Sequence, residues 1–146
     1  MAESSQVIGS IAGSGLVFKD TLTIESFKDP KIPAVSLYIS NFQKPLTERL
    51  ASGKDFFTDP SYASVGCAKT VKGKISVGNE INKTPSGEEV FEESKSLLFK
   101  TLRVQRVYDA DTNTVVYVSF NTRLDKNADN NKSRFKSSLC AVNLND

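Results

Sequence analysis

Residues 87–117 constrain the fold more than any other stretch of this 146-residue chain. A dense apolar run over 97–107 is followed by a short polar turn at 109–113 and then by Thr-Val-Val-Tyr at 114–117. Strand, polar turn, strand is the pattern of a β-hairpin. The first arm is not cleanly periodic. Leu97 and Phe99 share one parity, while Leu98, Leu102 and Val104 share the other. Two apolar faces require a strand covered on both sides, or a bulge near Lys100 that shifts the phase. No Gly or Pro forbids a helix here. The partner over 114–120, rich in Val and Tyr, decides for strands.

Alternation elsewhere agrees. Leu22, Thr23, Ile24 and Glu25 alternate apolar and polar, as a half-buried strand does. Asp29, Pro30 and Pro33 punctuate a turn. Val35, Leu37 and Ile39 share one face of a second strand, with Ser36 and Ser40 opposite. Ala63, Val65 and Cys67 mark a third strand with Cys67 directed to the core, and Ile75 and Val77 a short fourth. Residues 137–144, which carry Cys140, form the last. Over 44–53 the strand pattern breaks. Pro45 suits a first helical position, Leu46 and Leu50 share a face, and Gly53 suits a stop, which predicts one or two helical turns. Residues 1–15, small and polar, are expected as a flexible lead-in to a single domain over 1–146. The expected fold is mainly β: an antiparallel β-sandwich or open barrel with one short helix.

Charge is nearly balanced, with 19 basic and 17 acidic residues. The molecule as a whole therefore has little attraction for nucleic acid or for an anionic membrane. The longest apolar runs, 97–99 and 115–118, fall far short of the roughly 20 residues of a membrane span, so no transmembrane segment is expected. The opening residues have neither the basic nor the apolar region of an intact secretory signal. That leaves a cytosolic chain or one whose presequence has been removed.

The chain contains no histidine. The usual Ser-His-Asp and Cys-His machinery is thereby excluded, along with the commonest general base and metal ligand. The glycines at 9, 13 and 15 do not lead into the Lys-Ser/Thr ending of a phosphate loop. Segments 109–113 and 125–131 place oxygens at positions 1, 3 and 5 of a calcium loop. Neither has the Gly or the bidentate Glu that such a loop needs, and Asp and Asn are ordinary turn residues. No metal or cofactor is expected. Paired carboxylates remain the one catalytic option, but no pair stands out, and Glu88, Glu89, Glu92 and Glu93 read as a solvated face or loop.

Two cysteines, Cys67 and Cys140, are either buried thiols or one long-range disulfide; their number alone leaves both readings open. Charge is polarised locally. Residues 80–93 hold five acids against one base, and 123–136 five bases against two acids. The candidate contact residues for a protein partner are Arg103 and Arg106 on the hairpin and Arg123, Lys132 and Arg134 on the basic stretch.

These residues resemble the CreA family, named for catabolite regulation. The similarity lies in segments 8–10, 17–19, 27–30 (Phe-Lys-Asp-Pro), 35–40, Cys67, 96–109 (Ser-Leu-Leu-Phe-Lys-Thr-Leu-Arg-Val-Gln-Arg-Val-Tyr-Asp) and 117–119. The ending at 133–142 is similar to that of the cyanobacterial and plastid branch. The resemblance implies an exported protein, periplasmic in bacteria and lumenal in the thylakoid for a plastid member. It implies no catalytic residues, since the family has no catalytic motif to carry over. Enterobacterial members have a cysteine where this chain has Leu37, and a small residue other than cysteine where it has Cys140. The resemblance thus implies a relocated bridge, Cys67 to Cys140.

The leading expectation is a non-catalytic accessory protein that binds a protein partner, such as a photosynthetic membrane complex. The alternative is a small-ligand-binding module that uses the sandwich or barrel interior as its pocket, which rests on fold-level analogy. A carboxylate-based hydrolase ranks third.

Overall fold

The computed structural model describes residues 6–12, 21–43, 64–90, 102–121 and 137–146. These residues form eight strands and contain no helix. Strands β1 (Gln6–Ala12), β2 (Thr21–Lys28), β3 (Val35–Gln43) and β4 (Ser64–Lys69) make one antiparallel sheet in the order β1-β2-β3-β4. Strands β5 (Glu88–Glu89), β6 (Leu102–Asp109), β7 (Thr114–Asn121) and β8 (Ser137–Asn143) make a second in the order β5-β6-β7-β8. We call them sheets A and B. Two separate sheets sharing one core make a sandwich rather than an open barrel.

The core follows strand parity. Val35, Leu37 and Ile39 of β3 and Val65 of β4 point inward from sheet A. Val104, Val115, Tyr117 and Val142 meet them from sheet B. Over the described residues the hairpin forms where expected, with Leu102 opposite Asn121 and Asp109 opposite Thr114; Leu97, Leu98, Phe99 and the bulge expected near Lys100 lie outside them. Its turn is made by its own side chains. Asp109 accepts from the Asp111 amide (3.1 Å) and the Thr112 hydroxyl (2.9 Å), and Asn113 takes a positive φ of 53°.

Four expectations need correction. Residues 6–12 are a strand, not a lead-in; β1 pairs along β2, with an irregularity between Val7 and Gly9. In β2 the phase is inverted. Thr23, Glu25 and Phe27 are buried, while Leu22 and Ile24 are half-buried on the opposite face. Phe27 settles this, because its place opposite Leu37 fixes the parity of the whole strand. Residues 75–77 are not a strand. Ile75 instead donates its amide to the Leu144 carbonyl (2.8 Å) and accepts from Asn113 Nδ2 (3.1 Å), which ties this segment to the chain end. Glu88 and Glu89 are not a solvated loop but the short strand β5, pairing Arg106 and Gln105. The helix expected over 44–53 lies outside the described residues, as do Glu92, Glu93 and the segment 125–131.

Candidate functional site

One cross-strand row organises the molecule. On sheet A it runs Phe27, Leu37, Cys67; on sheet B it runs Cys140, Tyr117, Arg106, Glu88. Cys67 and Cys140 are joined by a disulfide, with Cα atoms 5.9 Å apart. Leu37, where the resemblance places a second cysteine in other members, is the cross-strand neighbour of Cys67.

Deeper in the sandwich the two sheets are joined again, by charge. Asp29 follows β2 and is wholly buried. It receives Arg106 Nε on Oδ2 (2.7 Å), Arg106 Nη2 on Oδ1, and the Tyr117 hydroxyl on Oδ2 (2.6 Å). The amides of Lys31 (2.9 Å) and Ile32 (3.3 Å) complete its acceptance through Oδ1. Arg106 is only 1% exposed, and its Nη1 donates to Glu88 Oε1 at 2.7 Å. Glu88 in turn accepts from Lys31 Nζ (2.8 Å) and the Asn82 amide (3.0 Å). The cluster is balanced, with two carboxylates against one guanidinium and one ammonium, and Asp29 uses both of its oxygens.

The electrostatics follow from this geometry. Burial raises the Tyr117 phenol well above its ordinary value, and the neighbouring Asp29 charge pushes it further the same way. Burial works to lower Arg106, but its hydrogen bond and charge contact with Asp29 outweigh that and leave it raised. Burial works to raise Glu88, but Lys31, the Asn82 amide and Arg106 together hold it below the usual carboxylate range. Chemically the cluster is a closed structural joint. Asp29 is sealed from solvent and saturated with donors, so it is not placed to take a proton from a substrate.

Local sequence explains the placement. Val104 and Arg106 share the inward parity of β6, as Val115, Tyr117 and Ser119 do on β7. Gly87 lets the chain approach that row. It has φ 65°, and a Cβ there would collide with the Arg106 carbonyl oxygen.

Arg106 is therefore not a surface contact residue, which corrects the expectation; it is held inside by Asp29 and Glu88. Arg103 lies on the outer face of β6, partly exposed and paired with Glu89 through Nη2 (2.6 Å). Arg123, Lys132 and Arg134 lie outside the described residues. Asp29, Tyr117 and Lys31 were not picked out from the sequence. The available signal was parity: an arginine and a tyrosine fall at the inward positions of the hairpin, in line with Val104 and Val115.

The outer face of sheet B is unusual for an antiparallel sandwich, whose solvent side is normally polar. Val107, Val116 and Ala141 form one cross-strand row, Gln105, Val118 and Leu139 the next, and Arg103, Phe120 and Ser137 a third. Leu139 is 67% exposed. Polar residues, Asp109, Thr114 and Asn143, bound the face at one end.

Residues 8–146 match the family described as CreA protein. Protein CreA of Escherichia coli strain K12 is 32% identical over 104 residues, which are 70% of this chain and 63% of that protein. The proteins of the same name from Escherichia coli O6:H1 and O157:H7 give the same figures. The matched part is thus less than two thirds of the length of these relatives. No solved structure matches. Three of the stretches that carried the resemblance, 27–30, 96–109 and 117–119, supply Asp29, Arg106 and Tyr117.

Proposed function

The chain belongs to the CreA protein family, and we propose that it is a non-catalytic accessory protein of an oxidising compartment that binds a protein partner. The compartment is the periplasm for a bacterial member or the thylakoid lumen for a plastid one, where the partner would be a membrane complex. The disulfide supports the oxidising setting, since such bonds persist outside reducing cytosol. The saturation of Asp29 supports the non-catalytic reading, because the best-buried carboxylate is committed to holding the sheets together.

The observation that carries partner binding is the apolar outer face of sheet B, with Leu139 at its most exposed point. A contiguous apolar area with a polar rim has the anatomy of a recognition surface. Affinity capture from native membranes and soluble extract tests it, using the wild-type chain and Leu139→Asp. At so exposed a position the substitution is expected to leave stability within about 0.5 kcal/mol. Loss of the captured partners by the folded variant supports the proposal. Recovery of the same partners at the same salt resistance removes this face from recognition. If the wild type captures no protein but co-purifies with a small molecule, the ligand-binding alternative replaces it.

A further inference from the structure

We propose that the Cys67–Cys140 bond is a redox-operated latch on one side of the sandwich, and that a protein dithiol can open it without unfolding the chain. Four observations place it there. The bond joins β4 and β8, the last strands of their sheets on the same side of the molecule. No backbone ladder joins these two strands; beside the disulfide and the shared core that takes in Val65 and Val142, the described hydrogen bond between them is the Val65 amide donating to Ser138 Oγ at 3.3 Å. Both cysteines are half-buried at the fringe of the core rather than sealed within it. And the same cross-strand row carries a second joint, Asp29 with Arg106 and Tyr117, which does not involve sulfur.

The chemistry is an exchange with a dithiol of the oxidoreductase class. One thiolate of the reductant attacks either sulfur, forming a mixed disulfide and releasing the other cysteine as a thiolate. The second thiol of the reductant then attacks the mixed disulfide and releases the first cysteine. Two electrons pass to the chain, two protons end on Cys67 and Cys140, and the reductant leaves as its own internal disulfide. The charged joint remains, so the sheets stay docked while the β4–β8 side loosens. Because β8 presents Cys140 inward and Leu139 and Ala141 outward, the redox state acts on the strand that forms the edge of the apolar outer face. The latch itself does not depend on the partner-binding proposal.

Hydrogen exchange with mass spectrometry tests this on the intact chain, oxidised and after dithiothreitol without denaturant, with iodoacetamide counting free thiols. The expected result is alkylation of both cysteines, unchanged far-ultraviolet circular dichroism, and a rise in amide exchange that is about tenfold or more greater in β4 and β8 than in β2 and β6. The double variant Cys67→Ser/Cys140→Ser is expected to reproduce that pattern without reductant. The inference is overturned if the bond resists dithiothreitol until denaturant is added, if exchange rises by the same factor in all strands on reduction, or if exchange is unchanged in β4 and β8.

Discussion

Asp29→Asn changes one buried oxygen to nitrogen and should be among the most damaging conservative substitutions in this chain. Asp29 is 0% exposed and accepts five hydrogen bonds, three of them from Arg106 and Tyr117. The amide keeps the shape but removes the charge and turns an acceptor into a donor facing other donors. Arg106, itself buried, is left with Glu88 alone. Breaking one side of a buried pair typically costs about 3–5 kcal/mol. Tyr117→Phe removes a single bond to the carboxylate and should cost about 1.5–3 kcal/mol. Asp29→Asn combined with Arg106→Met should be less damaging than the sum of the two, because no charge is then left unpaired. Urea unfolding at neutral pH measures all four, with the midpoint moving and the slope unchanged. An Asp29→Asn cost below about 1 kcal/mol, or strict additivity with Arg106→Met, would refute the view that this cluster is a single closed unit.

Reducing the disulfide should lower stability by about 4 kcal/mol in the loop-entropy account, given its sequence separation of 73; an unchanged melting temperature would contradict it. Glu88 has its folded value held down, so its contribution is present above about 4.3 and is lost as pH falls through the folded value. The pH dependence of the urea midpoint between neutral and acid should therefore be shallower in Glu88→Gln, and identical slopes would count against this. Tyr117 is raised, so its contribution is full below about 10 and lost as pH rises further. Phenolate absorbance should accordingly show Tyr117 ionising only as the protein unfolds, a step that Tyr117→Phe removes. Gly87→Ala should cost about 2 kcal/mol or more, from the positive φ and the approach of the Arg106 carbonyl, and a neutral result by urea unfolding would rule out that close approach.

Strand parity made much of the sandwich legible. Val35, Leu37 and Ile39, and the hairpin with its turn at Asp109, follow from alternation and turn chemistry alone. Parity misled where a strand carried apolar residues on its outer face. In β2, Leu22 and Ile24 looked like the inward set, yet Phe27 at the other parity had the better partner in Leu37. Isolated pairs such as Ile75 and Val77 imitate a strand when they only anchor a loop to the chain end. The buried cluster was illegible for another reason. Asp29 before a proline reads as turn punctuation, and its partners Arg106 and Tyr117 lie 77 and 88 positions away. Pairing across that distance is set by docking of the sheets, which no local pattern encodes.

Sheet A is drawn from residues 6–69 and sheet B from 88–143, so each can begin to pair its strands before the other is complete. Arg106 makes their union conditional. On an undocked sheet B it can keep its water; once the apolar faces close, that water is lost and the charge must be met. Docking shifted by one row would take the guanidinium away from Asp29 and leave that buried carboxylate without the three bonds it accepts from Arg106 and Tyr117. The buried pair therefore favours the observed alignment of the two sheets over a shifted one. The same alignment that lets Asp29 meet Arg106 also brings Cys67 and Cys140 within bonding distance, so charge and sulfur hold one and the same register between the sheets.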